Sequence, residues 1–127
     1  MGTVTFLTGG NKGFKFLVSG KNAKSGGYSL AFDFIELVPT TRLETESLKV
    51  QSITPVPAGT SPAEWFGVFN GAAAASGGAG TYFNANAVGN YITYTLPVAK
   101  PGTYQVRVGT QSKPNKGIFQ LAINGSN

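Results

Sequence analysis

The sequence predicts an all-β fold, an antiparallel β-sandwich or jelly roll of two sheets, and three observations carry that reading. Apolar residues alternate at period two along seven short runs. Gly makes up 18 of 127 residues, and clusters of Gly, Pro, Asn and Ser punctuate the runs as turns. Helical periodicity appears nowhere at length. A chain of this length has room for a single domain, residues 1–127, with one core.

Each run has its own pattern. In GTYQVRVGT, residues 102–110, Tyr104, Val106 and Val108 face one way while Gln105 and Arg107 face the other. GIFQLAING, 117–125, places Phe119, Leu121 and Ile123 inside. NYITYTLPV (90–98), GTVTFL (2–7), FKFLV (14–18), YSLAFDFIEL (28–37) and LETESLKVQSI (43–53) complete the set. Their Val, Ile, Thr, Tyr and Phe suit a pleated, half-buried surface. SPAEWF opens like a helix with Ser61 and Pro62, but Gly67 holds it to one turn at most. The low-complexity NGAAAASGGAG, Asn70 to Gly80, predicts a flexible surface loop with nothing to bury.

Composition excludes several chemistries. With no Cys there is no disulfide framework, thiolate metal site or Cys nucleophile. With no His the commonest general base and transition-metal ligand is missing, which argues against an enzyme and leaves carboxylates and hard cations as the available metal chemistry. The net charge of +5 is spread over single Lys and Arg residues without a basic run, so no nucleic acid is expected as partner. No apolar run approaches the roughly 18 residues of a membrane span, and no charged segment precedes an apolar one at Met1, so neither a membrane nor a signal peptide is expected.

Against this basic background, Asp33, Glu36, Glu44 and Glu46 fall within eighteen residues, Ala31 to Leu48; only Glu64 lies elsewhere. A hairpin centred between Pro39 and Thr40 sets Asp33 opposite Glu46 and Ile35 opposite Glu44. Asp33 and Glu46 then share a face with Ile35, Leu37 and Leu48, where unpaired ionised carboxylates are costly. A bound cation relieves both the repulsion and the burial, and carboxylate ligands favour Ca²⁺. The alternative is solvation, or pairing with Arg42 and Lys49; Glu36 belongs to that alternative.

The E-x-E of Glu44 and Glu46, the run GTYFNANAVGNYITYTLPVAKPGTYQVRVGTQSKPNKGIFQLAING and the stretch GKNAKSGGYSLAFDFIELVP resemble carbohydrate-binding modules of the galactose-binding-like β-sandwich type, near families 6 and 35. The resemblance covers most of the chain. It implies a non-catalytic, extracellular module of a larger secreted protein that binds a polysaccharide or glycan. It also implies a structural Ca²⁺ held by Asp33, Glu44 and Glu46. In the family the E-x-E strand opens the module and D-x-I-E-L closes it; here the order is reversed. Residues 3–38 resemble the C-terminal part and 43–127 the N-terminal part, the order of a circular permutant, whether engineered or cut across a repeat boundary. A further loop and strand of the family are missing. Their loss leaves an open sheet edge for homo-oligomerisation, so the alternative function is a permuted assembly sandwich with no sugar binding retained.

Sugar recognition needs an aromatic face for the apolar side of a pyranose and polar groups for its hydroxyls. Trp65 and Phe66 form one candidate platform, with core plugging as the alternative for Trp65; Tyr82 with Asn84 and Asn86 forms a second, while Phe83 reads as core. Arg107 on its strand and Lys113 and Asn115 in their turn complete the expected ligand set. Gln111, Lys116, Asn22 and Lys24 are further polar groups in turns, and a solvated turn is the alternative for each.

Overall fold

The computed structural model describes residues 1–39 and 42–124. Ten strands run in chain order: β1 (Thr3–Phe6), β2 (Gly10–Lys21), β3 (Leu30–Val38), β4 (Arg42–Glu44), β5 (Lys49–Ile53), β6 (Phe66–Asn70), β7 (Ala79–Phe83), β8 (Tyr91–Val98), β9 (Gly102–Thr110) and β10 (Gly117–Ile123). Among the described residues the one α-helix, α1 (Pro62–Trp65), is the expected single turn. Ser61 and Glu64 exchange hydrogen bonds across its start as a capping box, and Pro62 sits where no N–H is needed.

The strands form two antiparallel sheets. The first has the order β1-β9-β3-β7-β6, with β4 also paired to β3; the second has the order β10-β2-β8-β5. β3 has β9 along one edge and shares the other between β7, at Leu30–Phe32, and β4, at Phe34–Glu36. The inward residues of both sheets build one core. Phe14, Phe16, Val18, Ile92, Tyr94 and Leu96 of the second sheet meet Phe32, Ile35 and Phe83 of the first, all 0 % exposed. Phe16 and Phe32 stack across the gap with centroids 4.3 Å apart, and Tyr94 stands edge-on to Phe32 at 6.0 Å. The all-β sandwich read from alternation is therefore what the chain forms.

Three local expectations are corrected. LETESLKVQSI is not one strand: β4 ends at Glu44, a 3-10 turn spans Thr45–Ser47, and β5 continues in the other sheet. Thr45 drives this crossing, because its buried hydroxyl donates to the carbonyls of Phe32 (2.8 Å) and Asp33 (3.0 Å) and accepts from Thr81 (3.1 Å). The β3–β4 register pairs Phe34 with Glu44 and Ile35 with Leu43, one residue from the expected alignment. β3 also bulges between Phe32 and Ile35 against β9, so Phe32 and Ile35 are both buried and Asp33 does not share the face of Ile35. The expected turn was centred between Pro39 and Thr40; residues 40 and 41 lie outside the described residues, as do 125–127.

The third correction concerns residues 66–83. The alternation in FGVFN and AGTYF makes a hairpin, β6–β7, that the sequence reading passed over. The Ala-Gly segment between its strands is hydrogen-bonded to itself, Ala75 to Ala72, Gly78 to Ala75 and Ala72 to Gly78. Gly77 and Gly78 take the left-handed conformation open to glycine (φ 62° and 76°). Gly80 is buried, and the position admits no side chain, since a Cβ there would strike the Phe32 carbonyl and the Phe69 ring.

Candidate functional site

Two regions of the first sheet hold the residues singled out by the sequence. The first is the carboxylate region at the β3 bulge. Both Asp33 carboxylate oxygens accept from the Ser76 backbone N–H at 2.9 Å, and the Ser76 hydroxyl donates to Glu44 Oε1 at 2.7 Å. Ser76, in the loop expected to bury nothing, is the residue that joins Asp33 to Glu44. Glu36 behaves as expected of a paired surface acid: it lies 3.6 Å from both Arg42 and Arg107.

Glu44 Oε2 and Glu46 Oε2 are buried without a hydrogen-bond partner. A buried carboxylate oxygen left so is costly, and a hard cation is the kind of group that satisfies it. Among the described residues, no three acidic side chains gather closely enough to form a ligand shell by themselves. The two unpartnered oxygens are of the donor type that a hard cation takes, while Asp33 is already tied to Ser76.

The second region is a cleft of about 410 Å³ at one end of the sandwich, within the size range of small-ligand sites. It brings together four of the predicted ligand residues, Tyr82, Asn84, Lys113 and Asn115, with Phe69, Gln111 and Lys116. The β6–β7 register sets Tyr82 opposite Gly67, and the ring lies across that glycine, where any Cβ would collide with it. Tyr82 Oη donates to the Ala63 carbonyl at 2.6 Å, and Asn84 Nδ2 donates to the Glu64 carbonyl at 2.8 Å. These bonds fix the ring and amide against the end of α1. The β9–β10 loop is pinned from the other side, where Ser25 Oγ donates to the Lys116 carbonyl at 2.8 Å and Gly26 N–H to the Pro114 carbonyl at 2.8 Å. Burial first, and the neighbouring Lys113 charge second, hold the Lys116 ammonium below the usual lysine range.

Other predicted residues lie elsewhere. Trp65 is a core residue at 2 % exposure, edge-on to Phe83 at 5.1 Å, with its indole N–H donating to the Thr54 carbonyl at 2.8 Å. The expectation that it offers a sugar platform is corrected, because no face of its ring is presented to solvent. Phe66 is half-buried and packs on the same core, and Phe83 is core as expected. Asn86 is exposed in the β7–β8 turn, its N–H bound to Asn90 Oδ1, and does not line the cleft. Arg107 is engaged with Glu36 and Gln105 on the outer face of β9. Asn22 serves its own turn by accepting from the Lys24 N–H. Phe69 and Ser76 are additions; the period-two pattern of FGVFN was the signal for Phe69, while nothing local marks Ser76.

The fold and site define an antiparallel β-sandwich with an end cleft and a buried acidic corner. No protein-family model matches the chain, and neither a curated protein nor a solved structure matches it.

Proposed function

We propose that the chain is a non-catalytic carbohydrate-binding module of the galactose-binding-like type that takes a glycan in the end cleft. The observation that carries this reading is the cleft itself: a fixed Tyr82 ring bordered by Asn84, Gln111, Asn115 and Lys113, an aromatic surface ringed by hydrogen-bonding groups. The module belongs outside the cell in this reading, as part of a larger secreted protein. A Ca²⁺ ion accompanies it as a structural element, ligated by Glu44 and Glu46 through their unpartnered oxygens and by Asp33 with neighbouring backbone carbonyls. The direct pairing of β3 with β4 supports the permuted order, since it joins in one hairpin the strands that the resemblance places at opposite ends of the module.

The test is affinity electrophoresis against a panel of neutral and acidic polysaccharides. Retardation by at least one of them, lost in a Tyr82→Ala variant and in a Gln111→Ala/Lys113→Ala double variant that still melts cooperatively, is the expected result. Unchanged retardation in both variants, or none with the wild type, would overturn the reading.

One observation favours assembly as a second reading. β1 and β10 are edge strands of the two sheets among the described residues, and an apolar groove of about 420 Å³ lined by Val4, Val106, Leu121 and Ile123 runs between them. Light scattering at rising concentration distinguishes the two, with a mass above one chain expected only for assembly.

A further inference from the structure

The sandwich is open along the side where β1 and β10 end the two sheets. On β2 the inward Phe14, Phe16 and Val18 are 0 % exposed, yet the residues beside them in the ladder, Ile123, Leu121 and Phe119 of β10, are only half-buried. The reason lies in the facing sheet. β1 and the Gly2 carbonyl cover β9 only from Gly102 to Val106, while β9 runs on to Thr110. Among the described residues no further strand lies beside β1 or β10, so both sheets stop here and leave between them the apolar groove of about 420 Å³.

The edge of β10 also presents backbone hydrogen-bonding groups. In an antiparallel ladder successive residues turn their N–H and C=O to opposite sides. The Asn124 N–H donates to the Gly13 carbonyl of β2 at 2.8 Å, so Ala122 and Gln120 also turn to β2, and Ile123, Leu121 and Phe119 turn outward. At the other end the Gly117 N–H donates outward to the Ser29 carbonyl at 2.9 Å, and Ser29 bridges Lys116, which closes the edge there. Phe119 to Ile123 is the stretch left open. Exposed edges are ordinarily blunted by charge or proline, and β10 carries neither.

We propose that this groove accepts an extended segment of another polypeptide as an added strand, antiparallel to β10, uncharged and apolar at every second position. The row of outward N–H and C=O groups calls for a strand, since a helix satisfies its own backbone. Residues opposite each other in a ladder point to the same face, so those placed opposite Leu121 and Ile123 enter the groove and those opposite Gln120 and Ala122 take the outer face. The lining, which includes Val4 and Val106 across the gap, carries no charged side chain, so an apolar residue is matched there and an ionised one is not. A second copy fits less well. It presents the same edge, whose Phe119, Leu121 and Ile123 already pack on their own core, so pairing edge to edge leaves the groove unfilled.

The probe is an acetylated, amidated peptide in which Val and Ile alternate with Thr and Ser, and a second peptide of the same composition has its apolar residues in one run. Binding is followed by NMR and by amide hydrogen exchange. The expected result is binding of the alternating peptide only, with the Leu121 and Ile123 N–H groups becoming protected from exchange, while the protein by itself sediments as one chain. Leu121→Pro removes an N–H that points off the edge and leaves the bonds to β2 in place, so it should abolish binding while the protein still melts cooperatively. Val4→Ala keeps the edge and should weaken binding about tenfold, the scale of two buried methyl groups. Equal binding of the clustered peptide, binding without new protection at Leu121, binding unaffected in both variants, a wild-type mass that doubles and falls back in Leu121→Pro, or no binding would overturn the proposal. Tyr82→Ala should bind the peptide as the wild type does, which separates failure here from failure of the glycan reading.

Discussion

The two sheets meet the same core with different solutions on their outer sides. The second sheet carries no acid on its strands: core rings point in and lysines and hydroxyls point out, with one slip of register between β10 and β2 and another between β5 and β8. The first sheet is compromised at several points. β3 bulges, β4 is cut short at three residues, and its acids are tied by arginines and by a loop serine. The difference lies in the charges: the strands of the second sheet carry lysines with no acid beside them, whereas the acids of the first sheet are tied to arginines and to a loop serine.

The largest test of that contrast strikes what the sheets share. Phe32→Ala removes the ring that Phe16, Tyr94 and Phe119 all touch, and should cost about 3–5 kcal/mol in chemical denaturation. Next is calcium, which should act on the first sheet alone. A ligand bound only to the native state adds about 2.7 kcal/mol at a hundred times its Kd. Calcium should therefore raise Tm in the wild type and leave a Glu44→Gln/Glu46→Gln variant unmoved, while a wild-type Tm indifferent to both EDTA and calcium would remove the ion from the description. Third, Thr45→Val leaves the Phe32 and Asp33 carbonyls without their hydroxyl donor, and should cost about 1–3 kcal/mol by denaturant titration.

Smaller effects sharpen the comparison. Glu36→Gln releases two arginines from a surface arrangement and should cost about 0.5 kcal/mol or less, as exposed pairs do, with salt erasing the difference. The smallest effect is at α1. The backbone N–H and then the hydroxyl of Ser61 hold the exposed Glu64 carboxyl below its usual value of 4.5. A lowered folded pKa contributes stability that is present above the unfolded value and lost as pH falls through the folded one. Melting curves of wild type and Glu64→Gln should therefore differ at neutral pH and converge on acidification.

Period-two alternation made β2, β8, β9 and β10 legible, since each has one face buried and one exposed. β6 and β7 were less so: their glycines, Gly67 and Gly80, stand where Tyr82 and the Phe32 carbonyl leave no room for a side chain, and a glycine in a short run reads as a turn. The hairpin register was not legible either. β3 pairs with β4 one residue from the expected alignment, and it separately bulges against β9, which shifts facing positions there; nothing in the spelling of F-D-F-I announces either. Of the predicted ligand residues, Tyr82, Asn84, Lys113 and Asn115 do converge, because turn residues on neighbouring loops meet at one end of a sandwich. Trp65 was misleading, as a lone tryptophan in a loop-like segment presents the same letters whether it caps a core or faces water.

Ser76 carries one more consequence. Three residues after it β7 begins, and Tyr82 follows on that strand, so the serine that touches Glu44 lies six residues from the ring of the end cleft along the same chain segment. A cation that recruits Glu44 Oε1 competes with the Ser76 hydroxyl for the same lone pairs. Under the proposed function, an ion at Glu44 and a glycan at Tyr82 would both bear on the Ser76 contact, and by thermodynamic reciprocity any effect of the one on the affinity of the other would be returned by the same factor.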